Sequence, residues 1–300
     1  MKLWYRHRFH TVLAHRIVFS TIPLLPRFIH PPIAAVTAAV FLLILKSERR
    51  AVTANLRQIT GARGARLTWK VYRVFYSFCD LIVSYCFVPQ ASHAELLSML
   101  ADADRGAATI NRCLAAGNGV IMWTAHLGNP EFASRLLEMH GRRVHVARVV
   151  ENTPAEVMLR DLMSNERLKI VDLSAGVPAA LELLQALRRN EIVAIQGDRL
   201  YQRFAAEAPF FSAPARFPLG PFLLSQTSGA PVVPGFVVRE SWLRYRVLIG
   251  EPIPPLSTGD READLKAGLE TAVRFLERVL TTYHDQWLNF FEFWKVASRE

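Results

Sequence analysis

The sequence predicts an α/β protein with a central mixed, largely parallel sheet flanked by helices, and an N-terminal helical segment that associates with a membrane. After about Leu114, short apolar runs rich in β-branched residues alternate with helical patterns, which is typical of layered α/β domains. An apolar run framed by basic residues near the N-terminus predicts the membrane segment. The 300 residues, 51% of them apolar, are sufficient for one large hydrophobic core.

The formal charge of +10 is concentrated in the N-terminal quarter of the chain. Residues 1–73 contain 13 Lys or Arg and a single acid, Glu48, so they carry +12 and the other 227 residues about −2. The apolar run FIHPPIAAVTAAVFLLIL at residues 28–45 lies inside this basic region. Basic flanks around an apolar run favour an anionic bilayer. Nucleic-acid binding would instead need positive charge spread over a folded surface.

The apolar run is too short for a straightforward membrane span. Its uninterrupted part, residues 33–45, would measure about 20 Å as a helix, against a hydrocarbon core of about 30 Å. We therefore expect a monotopic or half-inserted anchor in preference to a single-pass span; a buried core helix is the alternative. We divide the chain into a membrane-associating segment, residues 1–45, and a domain, residues 46–300. A cleaved signal peptide is disfavoured because the run starts late and no A-x-A site follows closely.

The remaining elements follow from periodicity and turn residues. Residues up to about 113 are predicted to be mostly helical, and a polar, aromatic loop is expected after residue 199. Strands are predicted at residues 120–124, 144–150, 170–173, 192–196, 231–238 and 245–249. Helices are predicted at residues 130–140, 154–167, 178–189, within 217–229, and at 264–283.

The three cysteines, Cys79, Cys86 and Cys113, show no C-x-x-C spacing, and their odd number leaves one unpaired in any disulfide scheme. We interpret Cys79 and Cys86 as small core residues. This pattern favours a reducing compartment and argues against a zinc site.

The segment TAHLGNPE at residues 124–131 is the first candidate for chemistry. His126 follows a buried strand, Asn129 is a suitable N-cap, and Pro130 suits the first helical position, so Glu131 falls in the first turn. A turn of this kind lets imidazole and carboxylate converge. A carboxylate on one ring nitrogen leaves the other nitrogen to accept a proton from an attacking hydroxyl. The alternative interpretation is that His126 only caps the helix.

Two further clusters follow predicted strands. Asp198 and Arg199 come directly after the fourth strand, where ligands of α/β sheets usually bind, so the ends of this strand and of the strand before His126 suggest one site. A surface turn closed by a local ion pair is the alternative. Arg216 and Gly220 lie in RFPLGP, residues 216–221, before a predicted helix, which suits an anion site. A rigid hydrophobic loop is the other interpretation of this segment.

These motifs, in this order, resemble those of the lysophospholipid acyltransferase superfamily, and in particular its lipid A lauroyl/myristoyl acyltransferase branch. Two edge motifs support the resemblance, which covers roughly residues 45–296. RAVTANL, residues 50–56, is similar to the R-x4-N-L stretch of that branch, and YHDQW, residues 283–287, to its P-x-Q-W/Y segment.

The resemblance implies an acyltransferase that moves a fatty acyl chain from a thioester to a hydroxyl or amine of a lipid or glycolipid. His126 would be the general base and Glu131 its partner. The substrate-binding residues would be Gly128, Asn129, Asp198, Arg199, Arg216 and Gly220. The resemblance further implies acyl carrier protein or coenzyme A thioesters as cosubstrates, membrane lipids as partners, no permanently bound cofactor and no metal. It places the protein at the cytoplasmic face of the inner membrane.

Two departures leave the acceptor open. Glu131 replaces the commoner aspartate of the family's H-x4-D motif, and the Gly-Asp-Arg and Phe-Pro-x-Gly-Pro forms are closer to acyltransferases of aryl polyene and related glycolipid or aminolipid pathways. Mycobacterial phosphatidylinositol mannoside acyltransferases share the same layout.

Two other functions fit part of the pattern: a hydrolase using the same His and Glu with water, and a non-catalytic membrane scaffold. An apolar channel for an acyl chain is expected around Phe210, Phe211, Phe217 and Phe222, unless these side chains form core.

Overall fold

The computed structural model describes residues 19–102, 104–150, 165–200 and 204–297. The basic stretch at residues 2–8 and most of the predicted helix at residues 154–167 lie outside the described residues. The division of the chain at residue 45 stays a prediction.

A six-stranded mixed sheet forms the centre of the molecule, in the order β3-β2-β4-β1-β7-β8. The first five strands run parallel, and β8 is an antiparallel edge strand beside β7. The predicted fold class is therefore confirmed, and each predicted strand is present. The strands of the sheet are β1 (Val120–Thr124), β2 (Val144–Arg148), β3 (Leu168–Asp172), β4 (Ile192–Gln196), β7 (Val232–Ser241) and β8 (Arg244–Ile249).

Helices cover both faces of the sheet, because the strands carry apolar side chains on both faces. In β1, Ile121 and Trp123 pack into one hydrophobic cluster, while Val120 and Met122 pack into another. The α-helices are α1 (His30–Ile44), α2 (Lys46–Thr60), α3 (Gly64–Ser84), α4 (His93–Ser98), α5 (Asp104–Ala115), α6 (Pro130–Leu137), α7 (Val177–Arg188), α8 (Gly220–Ser228), α9 (Arg261–Tyr283) and α10 (Phe293–Ala297).

A separate antiparallel hairpin, β5 (Ala205–Phe210) and β6 (Ala213–Pro218), occupies the region predicted to be a loop. Two features concealed it. Prolines are depleted in strands, yet Pro209 and Pro214 face each other in this pair. Its two-residue turn is Phe211-Ser212, both with positive φ (49° and 61°), where a glycine or asparagine is the usual signal.

Helix α1 begins at His30, so Pro31 and Pro32 lie in its first turn and start the helix instead of interrupting it. Ala34 and Ala38 on one face are buried in a cluster shared with α3, because small side chains allow the two helices to approach closely. The opposite face is exposed, with Val36 66% and Leu43 67% accessible. Since α1 leaves an apolar face uncovered, the alternative of a fully buried core helix is wrong.

Within the described part of the chain, two helical segments are long and apolar enough to cross a membrane by length and composition, residues 27–44 and 64–90. The second segment is largely buried inside the protein, as expected of a core helix. Cys79 and Cys86 are buried, as predicted for small core residues, and Cys113 is buried as well; all three are free.

Candidate active site

His126 and Asp198 meet at the carboxyl edge of the parallel sheet. Strands β1 and β4 are neighbours, and the Cα of Thr124 pairs with that of Gln196, so the two site residues each follow their strand by two positions. The Nδ1 atom of His126 lies 2.7 Å from Oδ1 of Asp198. The expectation that both strand ends contribute to one site is thus met by direct contact.

The Asp198 carboxylate is buried, with 1% of the residue exposed, and accepts hydrogen bonds from four N–H groups. They are His126 Nδ1, the His126 backbone N–H, Trp287 Nε1 and Asn289 Nδ2. Burial alone would raise the pKa of this carboxyl, but the hydrogen bond from His126, then the Arg199 charge and the Trp287 N–H, outweigh burial and hold the pKa well below its usual range. Asp198 is therefore ionised and can only accept hydrogen bonds.

An ionised Asp198 fixes the tautomer of His126. Because the carboxylate is acceptor-only, the imidazole proton is on Nδ1 and the lone pair is on Nε2. Burial, followed by the nearby Arg199 charge, lowers the pKa of His126 below 6.5, although Asp198 opposes this. The ring is thus neutral at neutral pH, the state that a general base requires.

Glu131 lies in the first turn of α6, as the sequence predicts, and lines the same cavity as His126. The side chain of Asn129 caps this helix by accepting a bond from Phe132 N at 3.0 Å. However, the carboxylate hydrogen-bonded to Nδ1 of His126 is that of Asp198 and not that of Glu131. The position of orienting carboxylate is therefore reassigned to Asp198, and a catalytic role for Glu131 stays a prediction.

Gly128 and Asn129 shape the turn after β1. Gly128 has a φ of 68°, and a Cβ at this residue would lie 2.0 Å from the backbone oxygen of Val237. Asn129 is 3% exposed, and its Nδ2 donates to Ser84 Oγ at 2.9 Å. Both residues hold the turn against β7 and α3. Asn129 does not line the cavity, so its predicted contact with substrate stays a prediction.

Arg199 and Arg148 line the cavity near His126. Arg199 is held by Asn289 Oδ1, at 2.8 Å from its Nε, and by the carbonyl of Leu288, at 2.9 Å from Nη2. Arg148, the last residue of β2, was missed by the sequence reasoning. The available signal was a basic residue ending an apolar parallel strand at the edge where His126 and Asp198 were already expected.

The cavity beside His126 has a volume of about 850 Å³ and extends from this polar group into an apolar interior. Its walls come from α3, α5, α6, the sheet and the chain before α10, and include Phe78, Leu81, Ile110, Met122, Leu136 and Phe290. The cavity is not lined by the aromatic residues around which the sequence predicted a channel. Phe210, Phe217 and Phe222 are at most 4% exposed and form core instead. These phenylalanines pack on the opposite face of the sheet.

Arg216 and Gly220 are not among the residues that line the cavity. Arg216 lies in β6, paired across the hairpin with Glu207, and Gly220 begins α8. Their assignment as substrate-binding residues stays a prediction. The hairpin contacts the site through Phe210, which packs edge-on against Trp287, a hydrogen-bond donor to Asp198, with ring centroids 5.9 Å apart.

The segment of residues 286–289, here called the C-terminal clasp, completes the site. The His126 carbonyl accepts from Leu288 N at 2.8 Å, and the Gln286 carbonyl accepts from Gly128 N at 3.0 Å. Because Trp287 and Asn289 donate to Asp198, the clasp contacts both His126 and Asp198. Sequence reasoning noticed the Gln-Trp motif but gave it no role.

We predict that Gly128→Ala lowers the free energy of unfolding by about 2 kcal/mol or more, because the added methyl meets the Val237 backbone. Gly141→Ala is the matched control: its φ of 69° is the same, but its Cβ would meet nothing within 4 Å. Urea unfolding of both variants measures the difference. Equal losses would show that backbone strain alone, and not close packing, governs Gly128.

The sequence profile of the bacterial lipid A biosynthesis acyltransferase family matches residues 5–296. A phosphatidylinositol mannoside acyltransferase of Mycobacterium tuberculosis, found in two strains, is 29% identical over 149 residues. This match covers 49% of the present chain and 47% of the relative, so the chain spans about half the length of the curated relatives it matches. The profile match, which extends over almost the whole chain and includes the turn after β1 and the clasp, shows that the protein belongs to the lipid A biosynthesis acyltransferase family.

Proposed function

We propose that the protein transfers a fatty acyl chain from a thioester of acyl carrier protein or coenzyme A to a hydroxyl, or an amine, of a lipid or glycolipid acceptor at the membrane. One observation carries this proposal: a neutral His126, oriented by the buried carboxylate of Asp198, opens onto a large cavity with an apolar interior. Family membership supports the reaction class. A non-catalytic scaffold would leave this buried pair of histidine and carboxylate without a use.

His126 acts as the general base in the proposed reaction. Its Nε2 takes the proton of the acceptor hydroxyl while the oxygen attacks the thioester carbonyl, and Asp198 stabilises the imidazolium that forms. When the tetrahedral intermediate collapses, the carbon–sulfur bond breaks and the imidazolium returns its proton to the departing thiolate. The acyl ester and the free thiol are the products, and no enzyme nucleophile is required.

The cavity suits an acyl chain joined to a polar group. Each buried methylene contributes about 0.8 kcal/mol, so an apolar interior of this size binds a long chain strongly. Arg148 and Arg199 supply positive charge at the polar end, beside His126. We propose that they bind phosphate or other anionic groups of the acceptor or donor, and that Glu131 contacts the acceptor from α6.

We further propose that the exposed face of α1 lies against the cytoplasmic face of the inner membrane, as a monotopic or single-pass anchor. Val36 and Leu43 on α1, and Leu24 and Phe28 in the segment before it, are each at least 66% exposed. The basic flanks would contact anionic headgroups. The free cysteines are consistent with a reducing compartment on that side.

We predict that His126→Ala lowers acyl transfer by about 10² to 10⁴-fold, because the general base is lost. Mass spectrometry of lipids from cells carrying wild type or variant should show a species lacking one acyl chain in the variant, which would also identify the acceptor. His140→Ala is the control, since His140 lines the same cavity but bonds Asn111. Full activity of a folded His126→Ala protein would exclude the mechanism, and release of free fatty acid without acceptor would identify a hydrolase.

Asp198→Asn is expected to lower kcat by at least about 10²-fold, because an amide can present its N–H to Nδ1 and so favour the wrong tautomer of His126. Asp172→Asn is the matched control: Asp172 also ends a parallel strand, but it bonds Ser174 and Val150 and does not line the cavity. Steady-state kinetics with an acyl thioester measures both variants. Unchanged kcat in Asp198→Asn would return the role of orienting carboxylate to Glu131.

Membrane binding should depend on the exposed face of α1. We expect Val36→Asp/Leu43→Asp to weaken binding to anionic vesicles by about ten-fold or more, because charged groups replace apolar surface; wild-type binding should weaken with salt. Val177→Asp/Leu181→Asp is the control, with two exposed apolar side chains on α7. Vesicle flotation measures all three proteins. An equal loss in the control would place the membrane surface elsewhere.

A further inference from the structure

Asn289 lies between the two opposite charges of the site. Its Nδ2 donates to Oδ2 of Asp198 at 2.9 Å, and its Oδ1 accepts from Nε of Arg199 at 2.8 Å. The residue is 1% exposed. One amide therefore satisfies a buried carboxylate and a guanidinium at the same time, and neither interaction is assigned by the family motifs.

Asp198 and Arg199 are adjacent in sequence and opposite in charge, and in buried surroundings such groups attract each other strongly. The ion pairs among the described residues nevertheless include none between them, and Asp198 pairs with His126 instead. Arg199 is directed to neutral acceptors, the Asn289 amide and the Leu288 carbonyl, and lines the cavity. The amide occupies the place where a direct ion pair would otherwise form.

We infer that Asn289 is a positioning residue that keeps Asp198 and Arg199 from pairing, so that the carboxylate serves His126 and the guanidinium serves an anionic substrate group. The kinetic consequence of this inference rests on the proposed acyl transfer. The electrostatic consequence, at His126, does not.

The clasp is rigid enough for this role. The backbone carbonyl of Asn289 accepts from Nδ2 of Asn55 in α2 at 3.1 Å. The neighbouring Leu288 is bonded through its N–H to the His126 carbonyl and through its carbonyl to Arg199. The amide of Asn289 is therefore held in place by α2, by the turn after β1 and by the charges that it separates.

Removing the amide should change the charge balance at His126. The charged groups around this ring are Asp198, Arg199 and Arg148, with Glu131 lining the same cavity. Without Asn289, Arg199 takes its place as a donor to Oδ2 of Asp198 and offsets the negative charge that favours imidazolium. The pKa of His126 then falls further, and the cavity loses a cation.

The test is Asn289→Leu, which has a similar volume and no hydrogen-bonding groups. Histidine-selective NMR of the full-length protein in detergent, assigned with His126→Gln, reports the pKa of His126 without turnover. We expect this pKa to decrease by comparison with wild type. In steady-state kinetics the acid limb of kcat/KM should move to lower pH, kcat should decrease, and KM for the substrate that carries the anionic group should rise about ten-fold.

Asn55→Ala is the control, because it loosens the same clasp without removing the amide; it should lower thermal stability and leave the pKa of His126 unchanged. Asn289→Gln, which keeps the amide on a longer chain, is the second variant if Asn289→Leu does not fold, and should shift both readouts in the same direction by less. An unchanged or raised pKa of His126 in folded Asn289 variants, or an equal decrease in Asn55→Ala, would overturn the inference. A decreased pKa in a protein whose wild type transfers no acyl chain would support it and reject the proposed function.

Discussion

The buried charge of Asp198 is the constraint on which the site depends. An ionised carboxylate removed from water costs several kcal/mol unless it is fully hydrogen-bonded. Its four N–H donors come from two places distant in sequence, the turn after β1 and the C-terminal clasp. The strand ends and the clasp must therefore assemble together, because leaving any donor out leaves a buried charge undersatisfied.

The clasp is itself held by hydrogen bonds to α2 in the N-terminal half and to β7. Asn55 in α2 bonds the carbonyls of Asn289 and Phe291, and its Oδ1 accepts from Phe293 N. Gln286 bonds both the backbone N–H and the carbonyl of Arg239 in β7. The first edge motif, through Asn55, thus contacts the chain just after the second edge motif. Residues far from His126 in sequence therefore help to fix the donors of Asp198.

The sequence predicted the sheet and the clustering of polar residues at its carboxyl edge because both follow from local periodicity. It paired His126 with Glu131 because the turn between them lets the two side chains converge, whereas the observed partner of Nδ1 is 72 residues away and becomes a neighbour only through the register of β1 and β4. Strand order is a long-range property that local patterns do not encode. Arg148 and Asn289 were missed for the same reason: they lie near His126 and Asp198 only because the fold brings the end of β2 and the clasp to the ends of β1 and β4.

The alternation of β1 also decides on which face the chemistry takes place. Ile121 and Trp123 point into the solid core that contains the phenylalanines of the hairpin, whereas Met122 and Thr124 line the cavity, and His126 continues this second set past the strand end. β4 repeats the pattern, with Ala194 and Gln196 on the cavity wall. Successive side chains of a strand face opposite sides, so a one-residue shift of β1 would exchange the two sets. The aromatic residues could not form the cavity wall in this register, because they fill the face that supports Trp287 and, through it, Asp198.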